Sequence, residues 1–111
     1  MRGIFVVLGL AAAPVAASAA SFDCTLPDLK PDEAVICANP DLDDADVRMA
    51  TTYDLLKGLF AMGMRGAMQD DQVAWLAERQ ACGADAECIR SAYDRRMAAL
   101  MAIYDGIEKP L

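Results

Sequence analysis

The chain contains no histidine. Ser–His–Asp and Cys–His arrangements are thereby excluded, and a pair of carboxylates is the one common catalytic set left. Such a pair needs a cleft, which a domain of about ninety residues rarely builds. The four cysteines form no Cys-x2-Cys pair, which speaks against a zinc site. The acidic run of Asp41, Asp43, Asp44 and Asp46 lacks the turn glycine and closing bidentate glutamate of a calcium loop. Beyond residue 20 there are no internal repeats, no low-complexity tract and no β-type alternation. No later segment approaches the ~20 apolar residues of a spanning helix. Basic residues are scarce, with 10 Lys and Arg against 17 Asp and Glu, a net charge of -7. That balance disfavours nucleic acid and anionic lipid and favours basic partners. The expectation is a protein with no catalytic residues, no metal site and no cofactor, hence not an enzyme.

What is present begins with a leader. Arg2 supplies a positive start, residues 4–13 are apolar, and Pro14 follows. Ala17-Ser18-Ala19 and Ser18-Ala19-Ala20 are both acceptable small-residue cleavage sites, so residues 1–20 read as a signal peptide and the mature chain starts near Ala20 or Ser21. The apolar run is too short to serve as a membrane anchor. Phe22-Asp23 before Cys24 is not the small-residue setting of a lipid-attachment cysteine. The product expected is a soluble periplasmic or secreted protein without a stable membrane anchor. Losing Arg2 takes the charge from -7 to -8. Residues 21–111 form one domain.

A core of that size supplies only ~3–5 kcal/mol, so small exported domains carry staples. Cys24, Cys37, Cys82 and Cys88 form an even set in an oxidising compartment, which implies two disulfides. Spacing favours Cys24–Cys37 with Cys82–Cys88, contributing roughly 3 and 2.4 kcal/mol on the loop-entropy model. Cys37–Cys82 with Cys24–Cys88 is the rival if the helices bearing them run antiparallel.

The rest reads as helix. Pro31-Asp32-Glu33 opens a short helix through Ile36 and Cys37. Asn39 caps a second, with Pro40 at its first position, and Leu42, Ala45, Met49, Tyr53, Leu56 and Phe60 form its stripe. Gly58, Gly63 and Gly66 predict a turn near residues 62–66. The next helix spans about 67–81, with Met68, Gln72, Trp75 and Arg79 on one face, widened by Val73 and Leu76. Gly83 follows Cys82 as a left-handed cap. Asp85 caps a last helix over about 86–104, with a stripe of Ile89, Tyr93, Arg96, Leu100 and Ile103, and Gly106 and Pro110 end it. The fold class is all-α: a small disulfide-stapled helical hairpin or three-helix bundle.

Asp46, Gln72, Arg79 and Arg96 are polar residues at core-facing positions. Read with Ser21-Phe22-Asp23-Cys24, Ile36-Cys37, Leu42, Tyr53, Gln72-Val73-Ala74-Trp75-Leu76, Cys82, Cys88-Ile89, Tyr93 and Leu100, the chain resembles the lysozyme inhibitor LprI-like N-terminal domain family. The shared pattern is an SFDC start, a second cysteine before an acidic helix, a Q-x-x-W-L-x-x-R-x-x-C helix and a C-x4-Y-x2-R helix. It covers essentially all of the mature chain. The chain departs from it in having Gln80-Ala81 after the arginine and a short segment between its last two cysteines. The resemblance implies a small helical domain that binds a protein partner, lysozyme or another basic hydrolase.

The residues themselves separate into two groups. Asp46, Tyr53, Gln72, Trp75, Arg79 and Arg96 read as a structural polar network around Trp75, the main core anchor, with Asp46 the first choice of carboxylate for Arg79. Phe60, Met62, Met64 and Arg65, in the turn over 58–66, are the candidate partner-binding residues, since glycines permit a tight protrusion and Arg65 can pair with catalytic carboxylates. Two other readings differ in class. One is an exported accessory protein of envelope stress or assembly, acting by helix-face contact. The other is a Cu(I)-binding protein using Met62, Met64 and Met68, whose thioethers are soft ligands but also ordinary core material.

Overall fold

The computed structural model describes residue 3 and residues 20–107. The leader therefore lies, apart from Gly3 and Ala20, outside the described residues, as does Pro110. Four helices follow in order: α1 (Pro31–Ala38), α2 (Pro40–Lys57), α3 (Met62–Ala81) and α4 (Ala86–Asp105). There is no strand among the described residues.

Each boundary has a local cause. Pro31 opens α1, and Glu33 accepts the Lys30 backbone N–H at 2.9 Å, satisfying a donor outside the helix. Asn39 holds the extended N-cap conformation before Pro40, but its side chain does not cap α2. It turns back instead, and Nδ2 donates to the Val35 carbonyl of α1 at 2.7 Å. The same residue thus closes one helix with its side chain and opens the next with its backbone. Gly83 follows α3 with φ +57°, the left-handed conformation that glycine adopts without a Cβ penalty. Asp85 Oδ1 then accepts the backbone N–H groups of Glu87 and Cys88, capping α4.

The expected turn over 62–66 is not there. The chain reverses over residues 58–61, and α3 already begins at Met62. Gly63 and Gly66 lie inside its first turns, where a Cβ would meet nothing within 4 Å. Glycine in a helix costs ~1 kcal/mol relative to alanine but does not block it as proline would. Burial of Met68 two turns into α3 outweighs that cost.

Cross-helix pairs set the directions. Between α3 and α4, Cys82 meets Cys88, Arg79 meets Tyr93, and Gln72 meets Arg96, so these helices run antiparallel. Between α2 and α4, Asp41 meets Arg90 and Asp46 meets Tyr93, so these run parallel. The result is an up-down-up bundle, with α1 laid against all three long helices at the end carrying both disulfides. The bridges are Cys24–Cys37 and Cys82–Cys88, so the antiparallel approach of α3 and α4 does not produce the crossed pairing.

Ile36, Leu42, Met49, Leu56, Met68, Trp75, Ile89, Tyr93 and Leu100 fill the interior. Trp75 donates its indole N–H to the Ala92 carbonyl at 2.8 Å and stands edge-on to Tyr93. Val73, expected to widen the α3 face, is exposed.

Candidate functional site

The polar residues inside the bundle gather at the disulfide end, where all four helices meet. Arg79 Nε donates to Asp32 Oδ2 at 2.8 Å, and Arg79 Nη1 donates to the Tyr93 hydroxyl at 3.2 Å. Tyr93 donates in turn to Asp46 Oδ1 at 2.6 Å, which itself lies 3.6 Å from Arg79 Nη1. All four side chains are withdrawn from solvent. Burial pushes the Tyr93 hydroxyl far above the ordinary phenol range, and the adjoining Asp46 carboxylate adds to it. Burial works against the Arg79 charge, but Tyr93 and Asp32 outweigh it and the guanidinium holds its proton more firmly than usual.

Asp46, the carboxylate expected at Arg79, is there at 3.6 Å, and Asp32 of α1 joins it as the closer partner. Tyr93 of α4 supplies the hydroxyl of this cluster, while Tyr53 of α2 lies within electrostatic reach of Arg96. Asp32 reads in sequence as a first-turn acid, and first-turn acids are usually solvated. Nothing local reveals that α1 folds back over Arg79.

Gln72 and Arg96 form a separate pair, two turns back along α3 from Arg79 and one turn beyond Tyr93 on α4. Arg96 Nε donates to Gln72 Oε1 at 2.9 Å, and Gln72 Nε2 contacts Met49 Sδ at 3.2 Å. Arg96 Nη2 is buried with no hydrogen-bond partner among the described residues, and burial lowers the guanidinium's hold on its proton. Tyr53 packs in the core near Lys57, whose ammonium lies 5.1 Å from its ring.

The outer surface has two unlike ends. Beside the cysteines in the chain stand the exposed Asp23, Asp85 and Glu87, and the first turn of α2 carries the exposed Asp41 and Asp44. Arg90 there donates to Asp41 at 2.7 Å and also pairs with Glu87. The Arg90 contact holds the Asp41 carboxyl below the ordinary range. Asp43 is shifted upward by burial and by the charges of Asp44 and Asp46.

The opposite end is apolar. Leu59 and Met62 are 65% and 83% exposed, and Leu55, Met64, Met101 and Tyr104 are exposed beside them in the fold or the chain. Thr52, Leu55, Leu56, Leu59, Met101 and Tyr104 line a groove of about 260 Å³ between the ends of α2 and α4. Single exposed apolar residues are ordinary on a protein surface, whereas these lie together at one end of the bundle.

Met62, Met64 and Arg65 belong to this end, carried on the first turns of α3 rather than on a protruding loop. Phe60 is half-buried and packs on the core, so it supports the corner rather than projecting from it. Met68 lies inside the core, apart from the exposed Met62. The three methionines therefore do not present one face for Cu(I).

Leu55, Leu59, Met101 and Tyr104 escaped the sequence reading. A signal for them exists in doublets: Leu55-Leu56, Leu59-Phe60, Leu100-Met101 and Ile103-Tyr104. A helix stripe takes one member of such a doublet into the core and leaves the other outside.

Two comparisons with known proteins add nothing to this: no curated protein and no solved structure matches the chain. A family comparison does. Residues 28–105 match the family described as Lysozyme inhibitor LprI, a span that takes in all four helices and well over half of the chain. The chain therefore belongs to the lysozyme inhibitor LprI family, as a small all-α, disulfide-bonded, lysozyme-inhibitor-like protein that is not an enzyme.

Proposed function

We propose that the chain is exported, loses residues 1–20, and inhibits lysozyme or a related peptidoglycan hydrolase by protein–protein contact. The family match across all four helices carries this reading. The charge supports it. A strongly acidic protein is steered toward a basic hydrolase, which raises the association rate and makes binding salt-sensitive.

The contact surface in this reading is the apolar end, with Leu59, Met62, Met64 and Arg65 at its centre. Apolar side chains there displace water from a sugar-binding cleft, and Arg65 pairs with a cleft carboxylate. A helix corner presents these residues with less ordering cost than a free loop. The acidic end, facing away, contributes long-range attraction.

The test is a cell-wall clearing assay with the purified exported protein. Lysozyme or another basic wall hydrolase should lose activity in proportion to added protein at low salt, and recover part of it as salt is raised. Full hydrolase activity at a large molar excess would remove the reading.

A further inference from the structure

The backbone nitrogen of Ser21 donates to Asp46 Oδ2 at 2.5 Å. The acceptor is unusual. Asp46 has no exposure to solvent and shares its surroundings with Asp32 and Arg79. Two carboxylates face one guanidinium there, leaving a formal charge of -1 inside the protein. Buried charge is normally paired, and an uncompensated carboxylate is strongly destabilising.

The Ser21 nitrogen is also the atom that hydrolysis of the Ala20–Ser21 bond would convert to an amine, and Ser18-Ala19-Ala20 is an acceptable cleavage sequence. We propose that processing cuts between Ala20 and Ser21, and that the new α-ammonium of Ser21 is the cation that pairs with buried Asp46. The proposal rests on the export reading above. In the step, an envelope endopeptidase directs water to the Ala20 carbonyl carbon, and the C–N bond to Ser21 breaks. Ala20 leaves with the leader as a carboxylate, and the Ser21 nitrogen takes the proton to become an ammonium. Two carboxylates then face two cations, and the formal charges balance.

The arm that presents Ser21 is held in register at two further points. The Phe22 ring lies 5.5 Å from the Arg79 guanidinium carbon, and Cys24 is bonded to Cys37 of α1. These anchors make the fold itself discriminate between the two cleavage sequences. A cut after Ala19 would place the ammonium one residue away, ~3.8 Å along the chain, and leave an ordinary amide against Asp46. The unprocessed chain lacks the ion pair and is the less stable fold.

The experiment has three readings on protein purified from the envelope. Intact mass should give a chain starting at Ser21. Its α-amine should react with an acylating reagent at least ~10-fold more slowly in the native protein than after unfolding in denaturant, because the ion pair favours the unreactive ammonium. A chain with one added residue before Ser21 should melt ~10 °C or more lower, as expected for a broken buried pair in a domain of this size. Asp46→Asn should abolish that difference, and the acylation reading stands even if this variant fails to fold. A chain starting at Ala20, equal acylation rates, or equal melting temperatures would overturn the proposal while leaving export intact. A leader still attached would overturn the export reading along with it.

Discussion

Arg79 and Asp32 are separated by 47 residues in sequence, yet Nε and Oδ2 lie 2.8 Å apart, with both side chains buried. The pair ties the last turn of α3 to the first turn of α1. A buried pair of this kind contributes little relative to a well-packed apolar replacement, but removing one member leaves the other stranded.

Arg79→Ala should therefore cost about 3–5 kcal/mol in denaturant unfolding. Asp32→Asn should cost less, because the amide keeps the shape and can still accept from Arg79 Nε, while Asp46 remains 3.6 Å from Arg79 Nη1. If Arg79→Ala unfolds within about 1 kcal/mol of the wild type, the cluster does not hold the fold together.

Trp75→Ala should cost about 3–5 kcal/mol, the range for large aromatic truncations in cores. Trp75 is the protein's one tryptophan. Its fluorescence in the wild type should be shielded from aqueous quenchers, and should become accessible in the same transition that melts the helices.

The residues that were legible in sequence are those whose role is set within their own helix. Leu42, Met49 and Leu56 on α2, and Ile89, Tyr93 and Leu100 on α4, recur at helical spacing, and all are buried. Gly83 and Asp85 sit where cap chemistry places them. Asp32 was illegible because its partner comes from another helix, and so was the backbone donor on Asp46. Gly63 and Gly66 misled for the opposite reason: their local preference is weak, and packing of Met68 decides the helix. At the candidate site, Met62, Met64 and Arg65 stood out as an apolar cluster with a charge. Leu55, Leu59, Met101 and Tyr104 join them only once α2 and α4 are set side by side.

The two disulfides should differ in weight. Replacing Cys24 and Cys37 by serine removes a bridge across 13 residues, and replacing Cys82 and Cys88 removes one across 6. Loop entropy alone assigns roughly 3 and 2.4 kcal/mol. The difference between the two costs should exceed that gap, because the first replacement also frees the arm carrying Ser21 and Phe22. Thermal melts of the two double variants check the order, and a larger loss from the Cys82–Cys88 pair would contradict it.

Asp43 provides a pH test. Its carboxyl is pushed upward by burial, then by Asp44 and Asp46, and Oδ1 is buried without a partner among the described residues. A raised acid in the folded state binds its proton more tightly than the unfolded chain does. Its ionised form therefore costs stability at neutral pH, and that cost disappears as pH falls through the folded value. Asp43→Asn should stabilise the protein at pH 7, and the gain should vanish in acid below the ordinary aspartate range. A gain that persists unchanged in acid would show that the charge of Asp43 is not the cause.

The most direct measurement is a calorimetric titration of lysozyme with the exported protein, beside a Leu59→Asp, Met62→Asp variant. Both positions are exposed, so the variant should keep its melting temperature to within a few degrees. The wild type should bind saturably at low salt, with a negative heat-capacity change from apolar burial. The variant should lose at least ~10-fold in affinity, because two carboxylates would enter a desolvated contact. Equal affinity of the two proteins would contradict the assignment of the apolar end, and no heat above dilution from the wild type would contradict the inhibitor reading itself.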